Sequence, residues 1–276
     1  MNFITFSTLA CPDWPTELVI AKAREFGYEG IEWRGGSHGH LQPNLPSTKI
    51  SAIRQQCLDA NLTSLAVTAY TGFVSSSPKE RQTNLDELRR YTDLAATLGA
   101  RYVRTFLGKL PEGANIESST YDKIADCLRE AADHAGSLNV IIAVEPHDTF
   151  VHSSSIVPLL TRLEHFALRV IWDVGNTFSV DEEPAEGIRL LGEHIAYVQV
   201  KDGRKSKKGW QLCQIGQGNV PLCNVFELLI ANAYQGAFSV EWEYAWHPEL
   251  DPPDIALPSS LKAIRRLLAA AQPKSA

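Results

Sequence analysis

Several short apolar runs in this 276-residue chain end on an ionisable side chain. The run Val140-Ile-Ile-Ala-Val-Glu-Pro-His147 closes on Glu145, and the period of two along an extended chain places Ile141, Ala143, Glu145 and His147 on one face. By the same alternation Asp173 shares a face with Ile171, Lys201 with Tyr197 and Gln199, and Glu243 with Ser239 and Glu241, while Arg104 closes a run of its own. Carboxylates gathered at one mouth repel one another, and a divalent cation is the simplest device that keeps them ionised; oxygen ligands suit Mg²⁺, Mn²⁺ and similar ions. The alternative is neutralisation by Lys201 and Arg104, and those two cations are not expected to serve all three carboxylates Glu145, Asp173 and Glu241 together.

To bring these residues together the chain needs parallel strands. Eight β-branched or aromatic runs recur, at Phe3–Ser7, Gly30–Trp33, Ser64–Tyr70, Tyr102–Phe106, Val140–Glu145, Val170–Asp173, Ala196–Lys201 and Phe238–Glu243. Helical patterns lie between them: Val19, Ala23 and Phe26 share a face before Gly27, as do Leu88, Tyr91, Ala95 and Leu98 before Gly99. The interval between strands averages roughly 33 residues, room for one strand, one crossover helix and two loops. Eight such units predict a single (β/α)8 TIM barrel over residues 1–276, with the polar strand ends at its C-terminal mouth. A doubly wound open sheet is the rival, but no GxGxxG or P-loop follows the first strand.

The bulk properties narrow the function. The formal charge of −6 leaves no basic stripe beyond Arg204 to Lys208, so a nucleic-acid partner is not expected. No apolar run approaches the ~18 residues of a membrane span, and no secretory leader pattern opens the chain. Five cysteines without a CxxC pair suit reduced thiols, hence a cytoplasmic setting, and all five read as buried or incidental.

Taken together, Ala143-Val-Glu-Pro-His-Asp148, Ile171-Trp-Asp-Val-Gly-Asn176, Tyr197-Val-Gln-Val-Lys-Asp202, Ile215-Gly-Gln-Gly-Asn-Val-Pro221 and Ser239-Val-Glu-Trp-Glu243 resemble the sugar phosphate isomerase/epimerase group of xylose-isomerase-like barrels. The resemblance implies a metal held by Glu145, Asp173, Gln199 and Glu241, with Mn²⁺ foremost and Mg²⁺, Co²⁺ or Zn²⁺ as alternatives. It also implies that Glu145 and Glu241 are the catalytic acid and base, and Arg104, His147, Asn176, Lys201 and Glu243 are read as substrate-binding residues. Gln199 departs from the histidine usual at that ligand position, and Asn176 stands where many members place a second histidine.

The implied activity is metal-dependent isomerisation or epimerisation of a sugar, sugar phosphate or inositol derivative through a metal-stabilised enediolate. A dehydratase acting on a keto-inositol or dehydroshikimate-like substrate is the close rival, and a non-catalytic sugar-binding barrel the third reading. The partner is a small carbohydrate, and homo-oligomerisation is left open. His38 and His40 lie in a glycine-rich loop suited to a lid or to simple exposure, and Trp14, Trp33 and Trp246 to a sugar-facing wall or to packing.

Overall fold

A computed structural model describes residues 2–207 and 209–272. Lys208, the end of the short basic stretch, lies outside them. Seven strands come first: β1 (Phe3–Ser7), β2 (Gly30–Arg34), β3 (Thr63–Thr68), β4 (Tyr102–Thr105), β5 (Ile141–Val144), β6 (Leu168–Asp173) and β7 (Ile195–Val200). An antiparallel ribbon of β8 (Asp202–Ser206) and β9 (Gly209–Cys213) follows, then β10 (Ala237–Val240). All except the ribbon pair in parallel, in the order β1-β10-β7-β6-β5-β4-β3-β2, and close on themselves as a TIM barrel. The ribbon was not anticipated, because its polar strands bury no continuous apolar face.

Helices α1 (Thr16–Phe26), α2 (Ser47–Asp59), α3 (Pro78–Leu98), α4 (Ser118–Ser137), α5 (Ser153–Arg162), α6 (Val174–Ser179), α7 (Pro184–Leu191), α8 (Leu222–Ala231) and α9 (Pro253–Ala271) cross between strands. Gly27 and Gly99 end α1 and α3 in the left-handed conformation, with φ of 89° and 79°. At the other end of α3, Pro78 occupies the first turn and the Ser77 hydroxyl accepts from the Glu80 N–H.

Alternation along the strands divides the core in two. Leu65, Ala143, Ile171 and Tyr197 fill the barrel interior. Their neighbours Val103, Ile142, Val144, Trp172, Val198 and Val240 face outward into the main core with the helices. Trp172 is 1% exposed, and truncating it to alanine costs about 3–5 kcal/mol.

Register decides which side chains meet at the mouth. Gln199 lies level with Asp173 on one side and Ser239 on the other. Val240 pairs with Val200, and the Glu241 N–H continues that ladder onto the Val200 carbonyl, which brings Glu241 beside Lys201. Arg104 lies level with Ala143, two residues before Glu145. All five cysteines are free: Cys11 and Cys57 buried, Cys127 and Cys213 half-buried, Cys223 exposed. No helix among the described residues is long and apolar enough to cross a membrane.

Candidate active site

Two buried cations organise the C-terminal mouth. The Arg104 guanidinium donates from Nη1 to Glu145 Oε2 at 2.8 Å and lies 4.7 Å from the Tyr70 ring and 4.1 Å from the Phe106 ring. The other Glu145 oxygen accepts from the Asn176 side-chain amide at 3.3 Å. Lys201 Nζ lies 2.8 Å from Asp173 Oδ2, 2.8 Å from Glu241 Oε2 and 2.7 Å from Glu243 Oε1. Asp173 also caps α6, its Oδ1 accepting from the Gly175 and Asn176 N–H groups. Gly175 is required here: a Cβ at that position would stand 2.4 Å from the Lys201 stem.

Below this layer Glu32, fully buried on β2, accepts from Gln199 Nε2 at 2.9 Å and from the Ser239 hydroxyl at 2.5 Å. Burial, reinforced by the charge of Glu241, pushes the Glu32 carboxyl up to about 7. Burial also raises Glu145 against the opposing charge of Arg104, and Asp173 against that of Lys201. For Glu241 burial is overcome by the Lys201 ammonium and by hydrogen bonds from Asp173 and Lys201, and the carboxyl falls to about 2. Adjacent carboxyl groups are thus driven in opposite directions.

Glu145, Glu241, Arg104, His147, Lys201 and Glu243 line one cavity of about 380 Å³, closed in by Tyr70, Phe106 and Trp246. The His147 ring lies 4.5 Å from that of Phe106, and its Nδ1 stands 3.0 Å from an Asp148 carboxylate oxygen. The expectation that two cations cannot serve the three carboxylates is corrected. One lysine ammonium on a flexible stem contacts Asp173 and Glu241 together, while Arg104 takes Glu145. His38 is exposed; His40 is half-buried, with Nε2 3.0 Å from the Trp14 carbonyl. Trp33 packs into the core with its indole N–H on Ser64, Trp14 packs against the same core, and Trp246 reaches the cavity.

Sequence reasoning missed Glu32, Arg34, Tyr70 and Phe106 as members of this region. Period two through Gly30, Glu32 and Arg34 was the available signal for the first two. The glycine-rich motif 215–221 serves the scaffold: Gly216, Gly218 and Val220 donate their N–H groups to the Asp202 carboxylate.

The donor set fits a divalent cation. Glu145, Asp173 and Glu241 each present an oxygen within 4.8 Å of the others, the span that oxygen ligands at ~2.3–2.6 Å cover across one ion. Gln199 Oε1 is buried without a hydrogen-bond partner, because the amide meets Glu32 and Glu241 through its nitrogen. Asp173, Glu241 and Glu243 share the single Lys201 ammonium, a load that a bound divalent cation would relieve.

Residues 20–267 match the family model of the xylose isomerase-like TIM barrel. The chain belongs to that family. Among relatives of this xylose isomerase-like barrel, a putative L-ribulose-5-phosphate 3-epimerase of Haemophilus influenzae is 26% identical over 240 residues, 83% of each chain. A 3-dehydroshikimate dehydratase of Pseudomonas putida is 25% identical over 198 residues, 68% of this chain and 31% of that protein. The barrel superposes with a TM-score of 0.83 on the IOLI protein crystallised with a zinc atom, at 17% identity, covering 99% of this chain and all of that one. Epimerases recur among the sequence relatives.

Proposed function

We propose that the chain is a divalent-cation-dependent isomerase or epimerase of a sugar or sugar derivative, in which Glu145 and Glu241 exchange a carbon-bound proton beside a carbonyl. The observation that carries this reading is that these two carboxylates, on the residues directly after β5 and β10, line the same cavity with their oxygens within 4.8 Å. Glu145, Asp173 and Glu241 would hold the ion, with Gln199 Oε1 as a fourth donor; Mn²⁺ is the ion proposed. When bound, it supplies Lewis-acid polarisation of the substrate carbonyl. One glutamate then takes the proton from carbon, and the other returns one to the opposite face or to the neighbouring carbon. Arg104 holds Glu145 in place through the single bond from Nη1 to Oε2, Lys201 orients Glu241 and donates to substrate oxygens, and His147 and Glu243 contact hydroxyls from the rim. Asn176 fixes the second oxygen of Glu145.

A lyase is the second reading, favoured by the likeness to the 3-dehydroshikimate dehydratase over 68% of this chain. The same proton removal followed by departure of a β-hydroxyl, protonated as it leaves, yields water and an enone. Turnover in D₂O followed by NMR and mass spectrometry separates the two: epimerisation exchanges one C–H and otherwise conserves mass, whereas dehydration loses water. Glu145→Gln and Glu241→Gln are each expected to reduce the rate by at least ~10²-fold. Small and equal effects with the metal retained favour a binding protein.

A further inference from the structure

Three side-chain cations are buried among the described residues: Arg34, Arg104 and Lys201, at 4%, 5% and 4% exposure. Two of them are committed to buried carboxylates. Arg34 has no carboxylate partner among the described residues, and a buried unpaired guanidinium is costly unless something neutralises it. Its Nη1 donates to the His38 carbonyl at 3.3 Å, its plane lies 4.4 Å from the Trp246 ring, and its Nε is buried without a hydrogen-bond partner.

Arg34 ends β2 and lines a cavity of about 180 Å³ with the 35–38 turn, Tyr70 and Trp246. Tyr70 and Trp246 also wall the 380 Å³ cavity, so the two spaces adjoin across those rings. Both aromatic residues are exposed, at 39% and 52%, so the side chains common to the two cavities have room to move. Arg104 and Lys201 each lie against buried protein carboxylates, whereas Arg34 meets none among the described residues, so its positive charge is the one that a negatively charged substrate can offset.

We propose that Arg34 forms a second subsite that binds an oxyanion, the phosphate monoester or carboxylate at the far end of an anionic sugar whose reacting carbons lie over the Glu145–Glu241 pair. This rests on the sugar-enzyme reading above and names its substrate class. The guanidinium fork supplies paired donors to the oxyanion, and the Trp246 ring covers its face.

Titration calorimetry at low ionic strength with D-fructose, D-fructose 6-phosphate and D-fructuronate tests it, since these ligands share one skeleton and differ at the terminal group. Wild type is expected to bind one or both anions at least about tenfold more tightly than the neutral sugar. Which anion gains identifies the group. In Arg34→Met that advantage disappears while affinity for D-fructose is unchanged, and Arg34→Lys recovers part of it. Ser37→Asp, which leaves the buried arginine intact and puts a negative charge on the exposed turn, is expected to abolish the advantage as well. Equal binding of all three ligands by wild type, no binding of either anion, or an advantage that survives Arg34→Met or Ser37→Asp overturns the subsite. Deuterium exchange measured alongside keeps the two readings apart. Arg34-dependent binding without exchange removes the isomerase alone, and exchange that is indifferent to the anion removes the subsite alone.

Discussion

Arg104 is held between the rings of Tyr70 and Phe106 with its guanidinium 2.8 Å from one Glu145 oxygen, whereas Lys201 divides one ammonium among Asp173, Glu241 and Glu243. The arginine is planar, permanently charged and clamped; the lysine is a point charge on four methylenes with three rotatable donors. One wall of the mouth is therefore set, and the other is adjustable. Asp173 and Glu241, two of the three carboxylates suited to a divalent ion, stand on the adjustable wall, where an ammonium can yield to a metal without unfolding the strands.

Arg104→Met sharpens this contrast most. It strands Glu145 in the core with no side-chain cation on it, at a cost of about 3–5 kcal/mol in urea unfolding, and Mn²⁺ is expected to restore only part of that, because an ion on Glu145 offsets its charge but does not refill the clamp between Tyr70 and Phe106. Lys201→Met is expected to cost the metal-free protein about 3 kcal/mol, yet Mn²⁺ should recover most of that loss and bind more tightly than to wild type. Equal rescue of the two variants by metal breaks the comparison.

The layer beneath gives a smaller effect with a defined pH window. Glu32 has a folded-state value of about 7, above its ordinary 4.5. The stability contributed by its proton is fully present below about 4.5 and is lost as pH rises through about 7. In the presence of a chelator, urea unfolding between pH 4.5 and 8 should show wild type losing on the order of 3 kcal/mol that Glu32→Gln does not lose. The amide stays neutral across this range, and its oxygen can accept from the Ser239 hydroxyl as the carboxyl does. The smallest effect concerns Gln199→His: imidazole is the better ligand for Mn²⁺, Co²⁺ or Zn²⁺, so their affinity rises, with Mg²⁺ gaining less. Unchanged Mn²⁺ affinity in calorimetry takes residue 199 off the ligand list.

The barrel was legible because its strands are β-branched runs at even spacing, and the interior members Ala143, Ile171 and Tyr197 follow from alternation alone. Glu145, Asp173, Glu241 and Lys201 were legible as strand-end charges for the same reason. Their pairing was not, since it depends on register, and the slips at Ile31/Glu32 and Val170/Ile171 leave no mark on composition. Arg34 escaped notice because the strand reads as ending one residue earlier, at Trp33. Asp202 escaped because its partners, Gly216, Gly218 and Val220, return to it through a loop whose path only the fold defines.

Anomalous scattering from crystals grown with Mn²⁺ tests the central claim most directly. The account predicts one strong peak at the barrel mouth, ~2.0–2.6 Å from oxygens of Glu145, Asp173 and Glu241, with the Lys201 ammonium withdrawn from at least one of the last two. A mouth without a peak, with Lys201 still seated between Asp173 and Glu241, contradicts it.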